Sequence, residues 1–365
     1  MTNSDFEHIL HQMSKNDMEK WLQIKGHPFD SFADALAEGT LPGFAPPFDD
    51  YAKYDGSLLD FYNVFFQQYL QQLKKIDSNV WDFINVSMGV FIKHYGGLSV
   101  DFDLVEECKM LIESIKKSLS AYLDGSPYMA YKIFEKTFVD NDSHLLMTLP
   151  QIQYRGPLFR VRGERNLSTK NELFHTPFES RNSCGSYRYS ILGYPSLYLA
   201  GSIETALKES RIIDNQYSAM LFINKDVLQC VDLSLPNRKM ILWERYSLVL
   251  FYPLIFACSL KVKEDNKPFK PEYVIPQLLF QVVSECSNLM GVSYTSTRVD
   301  NPDYRNAEQR NFVLKVPKAN KAKGQSEELA DRFECTMPIS PDDTEVPQSV
   351  ENKLRGMEIS KIKLN

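Results

Sequence analysis

Apolar residues between positions 58 and 138 recur three and four apart, which predicts a run of helices. Leu58, Leu59, Phe61, Tyr62, Phe65, Phe66, Tyr69, Leu70 and Leu73 trace one such face behind Ser57, a side chain suited to capping a helix N-terminus. Further helices are expected over 80–94, stopped by Gly96-Gly97, over 103–123 and over 129–138. Pro42, Pro46 and Pro47 mark residues 39–47 as a loop between these helices and an earlier helical piece. After Pro150 the pattern changes to short runs rich in β-branched and aromatic residues. Strands are predicted at 158–161, 196–199, 219–223, 229–233, 292–295 and 312–316, with helices at 202–212 and 273–289 between them. The expected fold class is therefore α+β, divided into a helical domain over 1–150, a mixed α+β domain over 151–320 and a charged tail over 321–365. That tail is read as one strand near 333–339 followed by partly disordered polar sequence.

Composition narrows the class. With 365 residues, 43% hydrophobic and 24% charged, the chain has the makeup of a two-domain globular protein. A net charge of -6 repels phosphate polymers and acidic lipid, so neither nucleic acid nor membrane is an expected partner. The longest charge-free apolar stretch, 246–260, contains Pro253 and falls short of the roughly 20 residues that cross a bilayer. It reads as a core segment. The polar, acidic first 17 residues lack the basic start and apolar run of a secretory signal, and the six scattered cysteines form no CxxC pair. A cytoplasmic protein with reduced, mostly buried thiols is expected.

Several chemistries are excluded by what is missing. GxSxG, P-loop and GxGxxG motifs are absent, and His8 and His11 have no further ligand spaced with them, so no metal is expected. Since the first 150 residues hold no arginine, a helix-borne arginine–histidine nuclease site there is ruled out. From Arg155 onward arginines recur, and Arg160 and Arg162 fall within a predicted strand, where alternate residues face one side. A buried guanidinium needs an anion, so this pair points to an anion-binding cleft. Ser202 can cap the following helix, on which Glu204 and Lys208 pair along the surface. Glu209 lies on the other face, near Ala206 and Ile213. Two readings of Glu209 stay open here: a working carboxylate in a cleft, or the partner of a buried arginine.

These residues resemble the RES domain, a family named for arginine, glutamate and serine and known from bacterial toxin–antitoxin pairs. Phe159-Arg160 matches its early strand, Arg188 its second arginine segment, and Leu197-Tyr198-Leu199-Ala200 the strand after that. The family's glutamate follows the tyrosine by eleven residues, which lands on Glu209. Its serine, in a late Tyr-x-Ser strand, corresponds to Ser296 within Tyr294-Thr295-Ser296-Thr297-Arg298, and Phe269-Lys270-Pro271 through Leu279 is similar to a longer-chain branch. Many members have Gly-Arg-Trp-Asn where this chain reads Tyr187-Arg188-Tyr189-Ser190, so Arg188 is the weaker match, and Arg162 competes with Arg160 for the first arginine. Residues 1–150 correspond to a helical extension outside the compact domain.

The resemblance implies a fold similar to ADP-ribosyltransferases and NAD as substrate, with no metal. Glu209, Arg160 and Ser296 would be catalytic, with Arg188, Tyr198 and Arg162 binding the dinucleotide. Because the pyridinium leaves as a neutral molecule, the site has to stabilise positive charge on the ribose, which suits a carboxylate. Arginines would grip the pyrophosphate, Tyr198 would pack on the nicotinamide or ribose, and Ser296 would hydrogen-bond a phosphate or the carboxamide. The expected activity is hydrolysis or phosphorolysis of NAD by a toxin or defence effector. Two alternatives remain: transfer of ADP-ribose to a macromolecule, disfavoured because no Glu-x-Glu follows Thr295-Ser296-Thr297, and a non-catalytic interaction protein. The helical half is expected to bind an antitoxin or a second copy, or to restrain the enzyme, so that a chain beginning near Leu149 would gain activity.

Overall fold

The computed structural model describes residues 28–94, 103–139, 145–300, 302–317 and 323–364. His8, His11 and the Gly96-Gly97 stop lie outside the described residues. In chain order the principal helices are α1 (Pro28–Glu38), α2 (Leu58–Leu73), α3 (Ser78–His94), α4 (Leu104–Leu123) and α5 (Pro127–Val139), then α6 (Ile203–Ser210), α7 (Leu242–Ser259), α8 (Val274–Glu285) and α9 (Pro347–Arg355). The strands are β1 (Gln151–Tyr154), β2 (Pro157–Arg162), β3 (Ser196–Ala200), β4 (Ser218–Asn224), β5 (Leu228–Asp232), β6 (Gly291–Thr295), β7 (Arg310–Lys315), β8 (Phe333–Cys335) and β9 (Ser360–Lys361). The fold class is mixed α+β, as expected, and contacts divide the chain into two compact units. One comprises 1–150 with 236–257, the other 151–235 with 258–365.

In the helical unit, Ser57 Oγ accepts from Asp60 N at 3.1 Å and Asp60 returns a bond to Ser57 N at 3.3 Å, a capping box that fixes where α2 begins. Asp103 caps α4, its side chain accepting from Val105 N and Glu106 N. Residues 236–257, assigned from sequence to the second domain, belong here instead. After its first turn, which carries Glu244 and Arg245, helix α7 holds no charged residue and is apolar on nearly every side, so its pattern names no face and hence no core that it serves. Pro253 lies inside it and has no N–H for the Val249 carbonyl four residues back. The Tyr69 hydroxyl of α2 takes that carbonyl at 2.5 Å. Phe256 stacks on Phe65, ring centroids 3.4 Å apart, and Arg245 forms paired bonds of 3.0 and 2.9 Å with Asp34. A chain beginning near Leu149 would strip 242–257 of these partners, so that truncation is not a clean test of restraint by the helical half.

The second unit is built on nine strands among the described residues, ordered β1-β5-β6-β7-β3-β2-β4-β8-β9. Only β5 and β6 pair in parallel; the other neighbours are antiparallel. One face buries Leu158, Leu197, Phe222 and Phe312, the other Phe159, Val161, Ala219 and Leu221 beneath α6 and α9. Strand β2 pairs with β4 over six residues but with β3 only at Phe159 and Ala200. This short pairing opens a gap in the sheet beside Arg160. Of the tail expected over 321–365, the described residues 323–364 are built into the fold: β8 extends the sheet from β4, β9 pairs with β8, and Val350 and Leu354 of α9 are fully buried. Lys170 ties this segment down, its ammonium donating at 2.6 Å to both the Cys335 and Ser360 carbonyls. Such a ligand could not be read from the tail's own polar composition. Among the described residues no helix is long and apolar enough to cross a membrane.

Candidate functional site

A cleft of about 800 Å³ opens in the second unit where β2 and β3 part. Its wall holds seven cationic side chains and two carboxylates, Glu209 and Asp265, against a whole-chain charge of -6. The cleft thus concentrates positive charge on a chain that is acidic overall.

Glu209 reaches the cleft because of how α6 starts. Gly201 lies so close to the chain opposite that a Cβ there would stand 2.4 Å from the Ala307 carbonyl. Ser202 then caps α6, accepting from Thr205 N at 3.2 Å, and Ile203, Ala206 and Leu207 bury the helix on the sheet. Glu204 pairs with Lys208 at 3.1 Å on the outside, while Glu209 comes inward as its helical position requires. Glu209 Oε1 accepts from Ser296 Oγ at 2.5 Å and from Asn311 Nδ2 at 2.9 Å. Its Oε2 lies 3.9 Å from Arg298 Nε. Both readings of Glu209 are thus visible: it has an arginine neighbour, and it also faces a cleft with one oxygen held and the other directed away from those two donors.

The arginine, glutamate and serine positions converge. Ser296 is fully buried, and its hydroxyl donates to Glu209 and so orients that carboxylate. Arg160 donates from Nη1 to the Tyr198 carbonyl at 3.1 Å, using backbone exposed where β2 and β3 separate. Burial, then the neighbouring Arg162, pull its guanidinium down to about 10, still charged at neutral pH. Among the described residues it pairs with no carboxylate. Arg162 stands half-exposed at the rim, bonded to the Glu172 carbonyl at 2.6 Å.

Arg188 is committed elsewhere. It donates at 3.0 Å to the carbonyls of Cys258 and Leu260 and to Thr297 Oγ1, and its guanidinium lies 5.0 Å from the Tyr273 ring centre. Burial opposes its charge, but Tyr273, Tyr189, Tyr294 and Glu209 outweigh that and hold it above its ordinary value. It braces the cleft rather than presenting a donor fork to a ligand. Tyr198 lines the cleft with the exposed Tyr187 packed edge-on at 5.9 Å, and burial pushes its phenol well up.

Three residues that the sequence reading left without a role join the site. Asn311, opposite Tyr294 in the β6–β7 ladder, is the second donor to Glu209. A lone amide heading the apolar run Phe312–Leu314 was the available signal. Arg298 bridges Glu209 and Asp265, bonding Asp265 at 2.9 and 3.2 Å. Asp265 comes from a loop with no motif, and the Arg298 hydrogen bond holds its carboxyl below the usual range. Among the described residues no cluster of three metal-ligating side chains occurs.

No family model matches the chain, and no solved structure does. Among curated proteins it is 27% identical over 270 residues to the putative toxin YopC of Bacillus subtilis (strain 168). That alignment covers 66% of this chain, which spans 60% of the relative's length.

Proposed function

We propose that this chain is a toxin-like enzyme of RES type that cleaves the nicotinamide–ribose bond of NAD. The observation that carries this reading is the Glu209 carboxylate, oriented by Ser296 and Asn311 inside a cationic cleft that also holds Arg160. The toxin part rests on the named relative.

Arg160, which has no protein carboxylate to neutralise it, takes the pyrophosphate through its guanidinium, with Arg162 adding charge at the rim. As the bond to nicotinamide lengthens, the ribose gains oxocarbenium character and nicotinamide departs uncharged. Glu209 Oε2 faces that developing charge and holds a ribose hydroxyl or the incoming water or phosphate, while Oε1 stays fixed by its two donors. Tyr198 and Tyr187 offer ring faces for the nicotinamide. The site of action in this reading is the cytoplasm, where NAD is abundant, with control by a protein antitoxin or by self-association through the helical half.

Purified chain incubated with NAD should release nicotinamide, a folded Glu209→Ala protein should not, and a folded Arg160→Ala protein should do so only with a raised KM. Product analysis assigns the acceptor: free ADP-ribose for water, ADP-ribose 1″-phosphate for phosphate, labelled protein for transfer. A folded wild-type chain that leaves NAD intact, alone and after any copurifying protein is removed, rejects the reading.

A further inference from the structure

The seven cations of the cleft are not equally engaged. Arg160 has no carboxylate partner among the described residues, whereas Arg211, Arg298 and Lys270 converge on one, Asp265. Arg211 Nη2 lies 2.6 Å from Asp265 Oδ1, Arg298 bonds both carboxylate oxygens, and Lys270 Nζ is 4.0 Å away. These three cations come from three different segments: the end of α6, the turn after β6 and the loop ahead of α8. Arg211 adopts a left-handed backbone, φ 58°, a position that favours glycine or asparagine, and it keeps a long cationic side chain there. Asp265 is carried by the loop 260–270, which lies along the cleft wall, and its side chain is 38% exposed.

One carboxylate facing three cations leaves positive charge unmatched, even with Glu209 near Arg298 at 3.9 Å. A phosphate group supplies more negative charge and more acceptor oxygens in the same space, and arginine forks match it in pairs. We propose that Arg211, Arg298 and Lys270 form a second phosphate seat in this cleft, and that Asp265 is its internal occupant, displaced when a phosphate binds. The phosphate comes either from the dinucleotide's pyrophosphate or from inorganic phosphate. The first source rests on the function proposed above, and the second stands without it. In either case Asp265 weakens phosphate binding, so it sets how readily the site fills.

Calorimetric titration of the full chain with inorganic phosphate and, separately, with ADP-ribose tests this. Asp265→Asn keeps the shape and removes the competing charge, and should tighten binding of at least one probe by about tenfold, the order expected for a single charge contact near a surface. Adding Lys270→Met should cancel the gain. A gain for inorganic phosphate assigns the seat to free phosphate as well; a gain for ADP-ribose alone assigns it to the pyrophosphate. Unchanged or weaker binding of both by folded Asp265→Asn overturns the proposal and makes Asp265 a brace for Arg298. If that variant does not fold, Arg211→Gln replaces it: a tenfold loss for either probe supports the seat, and unchanged affinity for both overturns it. NAD left intact alongside a phosphate gain would retire the enzyme reading and keep the seat. NAD consumption with no gain would do the reverse.

Discussion

Arg245 in the helical unit and Arg160 in the sheet unit are both largely withdrawn from water, and the protein treats them in opposite ways. Arg245 is met by Asp34 in a paired fork and by Asp30 at 3.5 Å, all supplied by one face of α1. Arg160 receives one backbone carbonyl and another arginine for a neighbour. A buried cation matched by carboxylates is a structural joint, while one left without them marks a place for an anion from outside. The same contrast recurs inside the sheet unit. Arg310 faces Asp232 at 3.5 Å and Arg188 is enclosed by carbonyls and a ring, so neither presents a donor fork to the cleft as Arg160 does.

Substitutions should separate the two kinds of arginine. The largest loss of stability is expected for Arg245→Ala, which removes the paired fork to Asp34 and the contact with Asp30: about 3 kcal/mol in urea unfolding. Next comes a pH effect in the sheet unit that involves no arginine. His175 is fully buried, donating from Nδ1 to the Thr176 carbonyl at 2.8 Å and accepting Ser326 N at Nε2, also 2.8 Å. Burial lowers it from 6.5 to about 4, so the unfolded chain takes the proton first. Stability is then full above about pH 6.5 and falls as pH drops toward 4, by at most about 3 kcal/mol. His175→Gln should flatten this part of the profile, and a wild-type midpoint independent of pH over that window would contradict the assignment.

Ser296→Ala and Asn311→Ala sharpen the catalytic side. Each removes one donor to Glu209 Oε1 and should lower kcat for nicotinamide release by about ten- to a hundredfold, with KM changed far less. A rise in KM with kcat intact would make these residues ligand contacts instead. The smallest stability effect belongs to Arg160→Ala, within about 1 kcal/mol of wild type, because no carboxylate is stranded. Its cost should appear as a KM for NAD raised by about tenfold or more. A collapse of stability comparable to that of Arg245→Ala would erase the distinction.

Much of this was legible along the chain. Ser57 marks the start of its helix, Arg160 stands out as a charge in a strand, and the helical angle alone turns Glu209 away from Glu204. Illegible parts depended on distant partners. Asn311 and Arg298 lie 102 and 89 residues beyond Glu209, and nothing local to either records that they meet it. Residues 246–260 read as core, but a stretch without charges carries no direction, so the place of α7 with Tyr69 and Phe65 is not legible from it. Polar composition hid the order of 323–364, whose anchors are two buried residues of α9 and an ammonium from Lys170. Ser296 is singled out by the family resemblance alone, and its hydrogen bond to Glu209, 87 residues away in sequence, is not written in the chain around it.

The central claim is that Glu209 works on a bond of a bound dinucleotide instead of serving as a salt-bridge partner. Nicotinamide release from NAD by wild type and by Glu209→Gln, with thermal unfolding of both, tests it most directly. The account predicts that Glu209→Gln keeps its melting temperature within a few degrees and loses about a thousandfold or more in kcat. Equal rates in the two proteins, or a variant that loses its fold and not its turnover per folded molecule, would contradict it.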